Sequence, residues 1–135
     1  MTRIRYDADL DPRALGGRTV AVVGYGNQGR AHALNLKDGG IDVRVGARAG
    51  GGAERRARED GFEPTAIDEA VDAADVVALL LPDEVMGEVY AASVAPHLGE
   101  GTTLSFAHGF ALHYGLIAPP DGADVILVAP VGPGR

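Results

Sequence analysis

Cysteine is absent from the 135 residues, which removes disulfides, thiolate nucleophiles and zinc–cysteine centres from consideration. Tryptophan is absent as well, and aromatic residues make up only 5% of the chain. So few flat rings leave little from which to build a stacking platform for single-stranded nucleic acid. Basic residues are the minority, with 12 Lys and Arg against 19 Asp and Glu and a net charge of −7. A surface of that sign disfavours the phosphate backbone of nucleic acid and an anionic membrane, so neither is expected as a partner. No apolar run approaches the roughly 18 residues of a membrane span. The opening Met1-Thr2-Arg3-Ile4-Arg5-Tyr6-Asp7 lacks the apolar core of a signal peptide. A cytoplasmic location is the resulting expectation.

Glycine is in excess, at 20 residues, but without a G-X-Y repeat. That excludes collagen and assigns the glycines to local backbone tasks. Hydrophobic residues at 46% and charged residues at 23% are ordinary globular composition. The length suits one domain spanning 1–135.

Along the chain, β-branched runs alternate with helical patterns. Thr19 to Val23, Asp42 to Val45, Asp75 to Leu81, Thr102 to Phe106 and Val125 to Ala129 read as strands. Gln28 to Lys37, Glu54 to Glu59, Ile67 to Ala74 and Glu84 to Ala95 read as helices, the last amphipathic with Met86, Val89, Tyr90 and Val94 at helical spacing. Strands separated by helices predict right-handed βαβ units and a Rossmann-type α/β fold, a doubly wound parallel sheet covered on both faces.

Gly24-Tyr25-Gly26-Asn27-Gln28-Gly29 is a G-x-G-x-x-G placed between the first strand and the first helix. In that context Gly24 permits the tight turn, Gly26 lets the backbone approach a pyrophosphate, and Gly29 lets the helix pack close to the strand. The helix start then offers free N–H groups and partial positive charge to the phosphates. The bland alternative is a glycine turn in a ligand-free domain; the strand–turn–helix context favours a dinucleotide. The second strand ends in Gly46-Ala47-Arg48, with no carboxylate to hold a ribose 2′-hydroxyl. Arg48 can pair with a 2′-phosphate or stack on adenine, and Arg55 and Arg56 can add charge, which favours NADP over NAD. The alternative for Arg48 is a solvated surface residue.

His108 lies just past a predicted strand, at the edge where doubly wound sheets bind ligands. It is the one candidate catalytic residue, with a hydrogen-bonded loop histidine as the alternative. Asp83-Glu84 reads as a helix start with an Asp cap rather than an acid/base pair, though its backbone can border the nicotinamide. Asp68, Glu69 and Asp72 read as a solvated helix face rather than a metal site. His32 and His113 read as residues that satisfy local backbone groups, and His97 as a surface residue. The four histidines are not spaced as a metal set.

Taken together, these motifs resemble the ketol-acid reductoisomerases, the acetohydroxy acid isomeroreductases. Gly24-Tyr25-Gly26-Asn27-Gln28-Gly29 with Ala31-His32-Ala33-Leu34-Asn35-Leu36 is similar to that family's cofactor loop and first helix. Leu80-Leu81-Pro82-Asp83-Glu84, Glu88-Val89-Tyr90, Phe106-Ala107-His108-Gly109-Phe110, His113-Tyr114, Val128-Ala129-Pro130 and Gly132-Pro133-Gly134 follow in family order. Tyr6-Asp7 and Asp9-Leu10 fit its opening, so the resemblance covers essentially the whole chain. It implies a magnesium-dependent alkyl migration of a 2-acetohydroxy acid and reduction by NADPH, in branched-chain amino-acid synthesis. It also implies cofactor contacts from Leu81, Pro82, Asp83 and Gly134, and places His108 at the nicotinamide end as a proton-handling group.

Three departures qualify that implication. The family's closing A-P-K-G-P-G has Val131 in the lysine position, replacing a cation with an aliphatic side chain. The family's magnesium carboxylates lie in a helical C-terminal domain beyond the region matched, so no metal residue is expected here and magnesium only if a partner domain supplies ligands. Ala49-Gly50-Gly51-Gly52-Ala53 stands where phosphate-binding serines are common, and Met86 where Gln is frequent. The expectation is a cofactor-binding domain that is inactive by itself and forms a homodimer or larger. A stand-alone NADP(H)-binding or sensor module is the alternative.

Overall fold

The computed structural model describes residues 3–132. Five parallel strands form one sheet in the order β2-β1-β3-β4-β5. They are β1 (Thr19–Val23), β2 (Asp42–Gly46), β3 (Val76–Leu79), β4 (Thr103–Phe106) and β5 (Asp124–Leu127). Val22 pairs with Val45 on one side and Ala78 on the other, and Ala78 in turn with Ser105. The helices are α1 (Asn27–Asp38), α2 (Gly52–Glu59), α3 (Ile67–Asp72), α4 (Asp83–Val89) and α5 (Phe110–His113). Among the described residues no helix is long and apolar enough to cross a membrane.

Strand alternation divides the core into two layers. On one face Ala21, Val23, Val77, Leu79, Leu104 and Phe106 meet Ala70 and Val71 of α3, Met86 of α4, Tyr90 and Val94 just beyond it, and Ala111 of α5. On the other, Val20, Val22, Val76 and Ala78 meet Ala33 of α1, Ala57 of α2, Tyr25 and Phe62. Leu79 and Leu104 are fully buried, and each such side chain contributes about 1.5–3 kcal/mol relative to remaining in water. The second face is covered only as far as β3. Over β4 and β5 it opens as a cleft of about 680 Å³ bordered by Leu15, Leu36, Ser105, Ile126 and Val128, because α1 and α2 flank β1 and β2.

Several boundaries differ from the sequence reading: β5 runs Asp124–Leu127 rather than Val125 to Ala129, α2 starts at Gly52 rather than Glu54, and α3 ends at Asp72 rather than Ala74. The third strand ends at Leu79 rather than Leu81, although Leu80 N–H still donates to the Val23 carbonyl at 2.9 Å. The helix expected to run to Ala95 changes form after Val89. A widened turn over Tyr90–Val94 buries both of those end residues, and a tight turn over Ala95–His97 contains Pro96. Proline cannot continue the helical hydrogen-bond ladder. The short α5 was not foreseen, since four residues are too few for a periodic signal.

Candidate functional site

In a doubly wound sheet, ligands bind beyond the carboxyl ends of the strands where the strand order reverses. Here that point lies between β1 and β3. Gly24 follows β1 with φ +97°, and a Cβ on it would stand 2.7 Å from the Leu80 carbonyl oxygen. Only glycine fits both conditions. A Cβ at Gly29 would collide with the Gly24 carbonyl oxygen, so α1 lies directly on the turn. Among the described residues nothing fills the space where a Cβ on Gly26 would be, and Gly26 caps α1 without a side-chain acceptor. The Asn27, Gln28 and Gly29 N–H groups lie in the first turn, where helices have no internal acceptors. Open space beside an uncapped helix start is a cradle for an anion.

A cleft of about 590 Å³ runs from Gly24 past Gly46, Ala47 and Arg48 to Ile67, Asp68, Val85 and Val89. Arg48 is exposed at its rim and forms no ion pair among the described residues. The turn beyond it is held from outside. Gly50 N–H donates to Glu54 Oε2 at 2.6 Å, and Arg58 Nη2 donates to Glu54 Oε1 at 2.8 Å. The Arg58 bond and then the Gly50 N–H hold the Glu54 carboxyl below the ordinary range. Arg56 is engaged elsewhere, with Nη2 3.0 Å and Nε 3.3 Å from the Tyr25 carbonyl oxygen. It therefore adds less to the rim than its sequence position implies.

Tyr25 is 1% exposed, its ring edge-on to Phe62, so only its backbone is available on the outer side of the turn. Its hydroxyl donates to Asp60 Oδ2 at 2.9 Å. Burial, then this bond, pushes its pKa up. The hydrogen bond from Arg30 holds the Asp60 carboxyl below the ordinary range.

Gln28, Leu81 and His108 meet around a smaller pocket of about 110 Å³ at the ends of β3 and β4. Gln28 Nε2 also donates to the Gly132 carbonyl at 2.9 Å. Pro82, not Asp83, takes the capping position of α4, and Asp83 makes no cap bond. Instead Asp83 Oδ1 is buried and has no hydrogen-bond partner among the described residues, with His108 Nε2 at 3.4 Å. His108 Nδ1 accepts from Phe110 N–H at 3.4 Å, which leaves Nε2 to carry the proton toward Asp83. His97 pairs with Asp72 at 2.9 Å on the surface, and His32 borders the open cleft on the other sheet face. Gly134 lies outside the described residues. Among the described residues no three His, Asp or Glu side chains are grouped to hold a metal ion.

Sequence reasoning passed over Asp68, Val85 and Val89 as cleft residues. Asp68 looked like part of a solvated acidic face, yet it is half-buried on the cleft wall and its Oδ1 accepts from Glu69 N–H at 2.9 Å. Val85 gave the one available signal, an aliphatic side chain off the core stripe of α4 and 40% exposed.

Known proteins agree with this geometry. The acetohydroxy acid isomeroreductase NADPH-binding domain matches residues 14–135. A ketol-acid reductoisomerase (NADP(+)) from Methanococcus maripaludis strain C7 is 50% identical over 133 residues, which is 98% of this chain and 40% of that protein. The chain thus spans about two fifths of the length of the curated relatives it matches. Among solved structures, an NADH-preferring ketol-acid reductoisomerase from an uncultured archaeon superimposes with a TM-score of 0.92 at 44% identity, covering 98% of this chain and 42% of that one. Mycobacterium tuberculosis 3-hydroxyisobutyrate dehydrogenase follows at a TM-score of 0.69 and 26% identity, covering 87% of this chain and 42% of its own. With the family's domain matched from residue 14 onward and half its residues identical to a curated member, the chain belongs to the ketol-acid reductoisomerase family, as its nicotinamide-dinucleotide-binding domain.

Proposed function

We propose that the chain holds NADPH as the cofactor half of a ketol-acid reductoisomerase. The observation that carries this is the cradle at Gly26, open where a Cβ would sit and facing an uncapped helix start. The pyrophosphate sits on Asn27, Gln28 and Gly29 N–H groups, the 2′-phosphate on Arg48, and the nicotinamide beside Leu81, Pro82, Asp83 and His108. The cofactor supplies a hydride; the protein supplies its position. His108 holds or hands on a proton at Nε2, and Asp83 at 3.4 Å orients that ring. The magnesium-dependent alkyl migration implied by the family finds no ligand set among the described residues. We assign that step to a separate helical domain, so this chain alone is not expected to turn over 2-acetolactate. Val131, fully exposed where the family has lysine, favours a second reading, a binding module without chemistry. Magnesium-dependent turnover after addition of a helical family domain would exclude that second reading.

Calorimetric titration with NADPH and NADH tests the cofactor assignment. Micromolar binding of NADPH, with NADH weaker, is the expected result. Binding of neither would overturn it.

The outer edge of β5 supports assembly into a homodimer or larger. Val125, Ile126 and Leu127 of β5 and the following Val128 are 41–56% exposed, and among the described residues the strand is paired on one side only; such edges seek a partner. Light scattering is expected to give at least twice the 13.9 kDa chain mass, and Ile126→Lys is expected to lower it. A monomer mass for the unaltered chain would sink the assembly.

A further inference from the structure

The phosphate-facing turn is tied from behind to the end of α2. Tyr25, between Gly24 and Gly26, accepts Arg56 Nη2 on its carbonyl at 3.0 Å and donates its hydroxyl to Asp60 Oδ2 at 2.9 Å. Arg30, in the early part of α1, grips the same carboxylate with Nε at 2.7 Å and Nη2 at 2.8 Å. Asp60 itself follows α2 directly, and its N–H donates to the Arg56 carbonyl at 3.1 Å. Lys37 Nζ adds a bond to the Gly61 carbonyl at 3.1 Å and lies 4.5 Å from the centre of the Phe62 ring. One carboxylate, 15% exposed, therefore joins the turn, α1 and the end of α2. The opposite end of α2 carries the Gly50–Gly52 turn next to Arg48.

We propose that Asp60 is a positioning residue for the dinucleotide: it sets the spacing between the pyrophosphate turn and the 2′-phosphate end of the cleft. The inference rests on the cofactor reading above. A turn containing three glycines has wide backbone freedom, and whatever is not ordered beforehand is charged against ligand affinity. Two guanidinium groups and a buried phenol order it in advance, on the side away from the cleft. An ion pair whose guanidinium is half-exposed contributes little to folding by itself. The arrangement of three donors on one shielded carboxylate instead matches the demand of a ligand that must touch both ends of the cleft at once.

The test compares Asp60→Asn and Asp60→Ala with the unaltered chain, using NADPH, which spans both ends, and adenosine 2′-monophosphate, which reaches only the Arg48 end. Thermal unfolding is recorded for each. NADPH is expected to weaken by at least about tenfold and adenosine 2′-monophosphate by less than about threefold, because only the spanning ligand needs the fixed spacing. Equal weakening of both ligands, the mark of a merely structural role, would overturn the inference, as would unchanged NADPH affinity. Tyr25→Phe keeps the ring packing and removes one donor. It is expected to fold and to show the same split at smaller size, so it carries the test if the Asp60 variants do not fold. If the unaltered chain binds neither ligand, the cofactor reading itself falls and the inference with it. That result is distinct from binding that survives removal of Asp60.

Discussion

Gly29→Ala should destabilise the domain severely, whereas Gly26→Ala, three residues earlier on the same turn, should leave the fold intact and abolish tight cofactor binding. A methyl group at Gly29 meets the Gly24 carbonyl, which is backbone and cannot rotate away. Nor can the turn retreat, because the Cβ position of Gly24 is already bounded by the Leu80 carbonyl oxygen at 2.7 Å and Leu81 Cδ2 at 3.0 Å. Overpacking of this kind costs about 3 kcal/mol or more when no side chain can yield. For a domain of this size that is roughly a 10 °C fall in midpoint. At Gly26 the backbone sits at φ −82° with nothing within 4 Å of a Cβ. Alanine adopts that conformation freely, and restriction of the unfolded chain, about 0.4–1 kcal/mol, offsets its poorer capping of α1, so the fold is expected to survive. The same methyl then occupies the space through which a pyrophosphate approaches, and NADPH affinity is expected to fall at least about tenfold. Circular dichroism melts and calorimetry separate the two effects. A Gly26→Ala chain that binds NADPH like the unaltered one would remove the cradle from the site.

How far the sequence reached follows from what each residue is for. The central strands were legible because their apolar β-branched runs are buried on both faces, and Thr19–Val23 is read to the residue. The glycine turn was legible because steric exclusion admits one residue type at Gly24 and Gly29. Pairwise tertiary contacts left no local trace. Nothing near Asp60 in sequence announces that Tyr25 and Arg30, 35 and 30 positions earlier, converge on it. Arg56 illustrates the same limit, since charge on a helix beside the cofactor loop looks available until its carbonyl partner is seen. The opposite error arose at Asp83, where an acid at a helix start implied a cap. Pro82 holds that position, and the carboxylate turns inward toward His108. The break in the long helix after Val89 was hidden because Tyr90 and Val94 keep helical spacing even while the turn widens around them.

Arg48→Ala is expected to weaken NADPH by about 10–100-fold and to leave NADH nearly unchanged, since a charge-assisted hydrogen bond to phosphate contributes about 1.5–3 kcal/mol. The relatives do not decide the matter for this chain, because the Methanococcus enzyme is named for NADP(+) and the archaeal structure is described as NADH-preferring. The rim itself is sparse. Ala49 to Ala53 offers no polar side chain, the Gly50 N–H is taken by Glu54, and Arg56 is committed to Tyr25. Across the cleft stands Asp68, an acid of the kind that favours a free ribose hydroxyl over a phosphate. Discrimination between the two cofactors therefore hangs chiefly on Arg48, with exposed Arg55, whose Nη2 lies 3.9 Å from the Cβ position of Gly52 on the cleft wall, as the second cation. It should shrink as salt rises, because an exposed guanidinium–phosphate contact is screened within about 8–10 Å at ordinary ionic strength. Equal losses for NADPH and NADH in the variant would mean that the guanidinium stacks on adenine and reads no phosphate. An unchanged ratio with unchanged affinities would return Arg48 to the solvated surface and leave the helix start at Gly26 and Arg55 as the sources of positive potential beside the cleft.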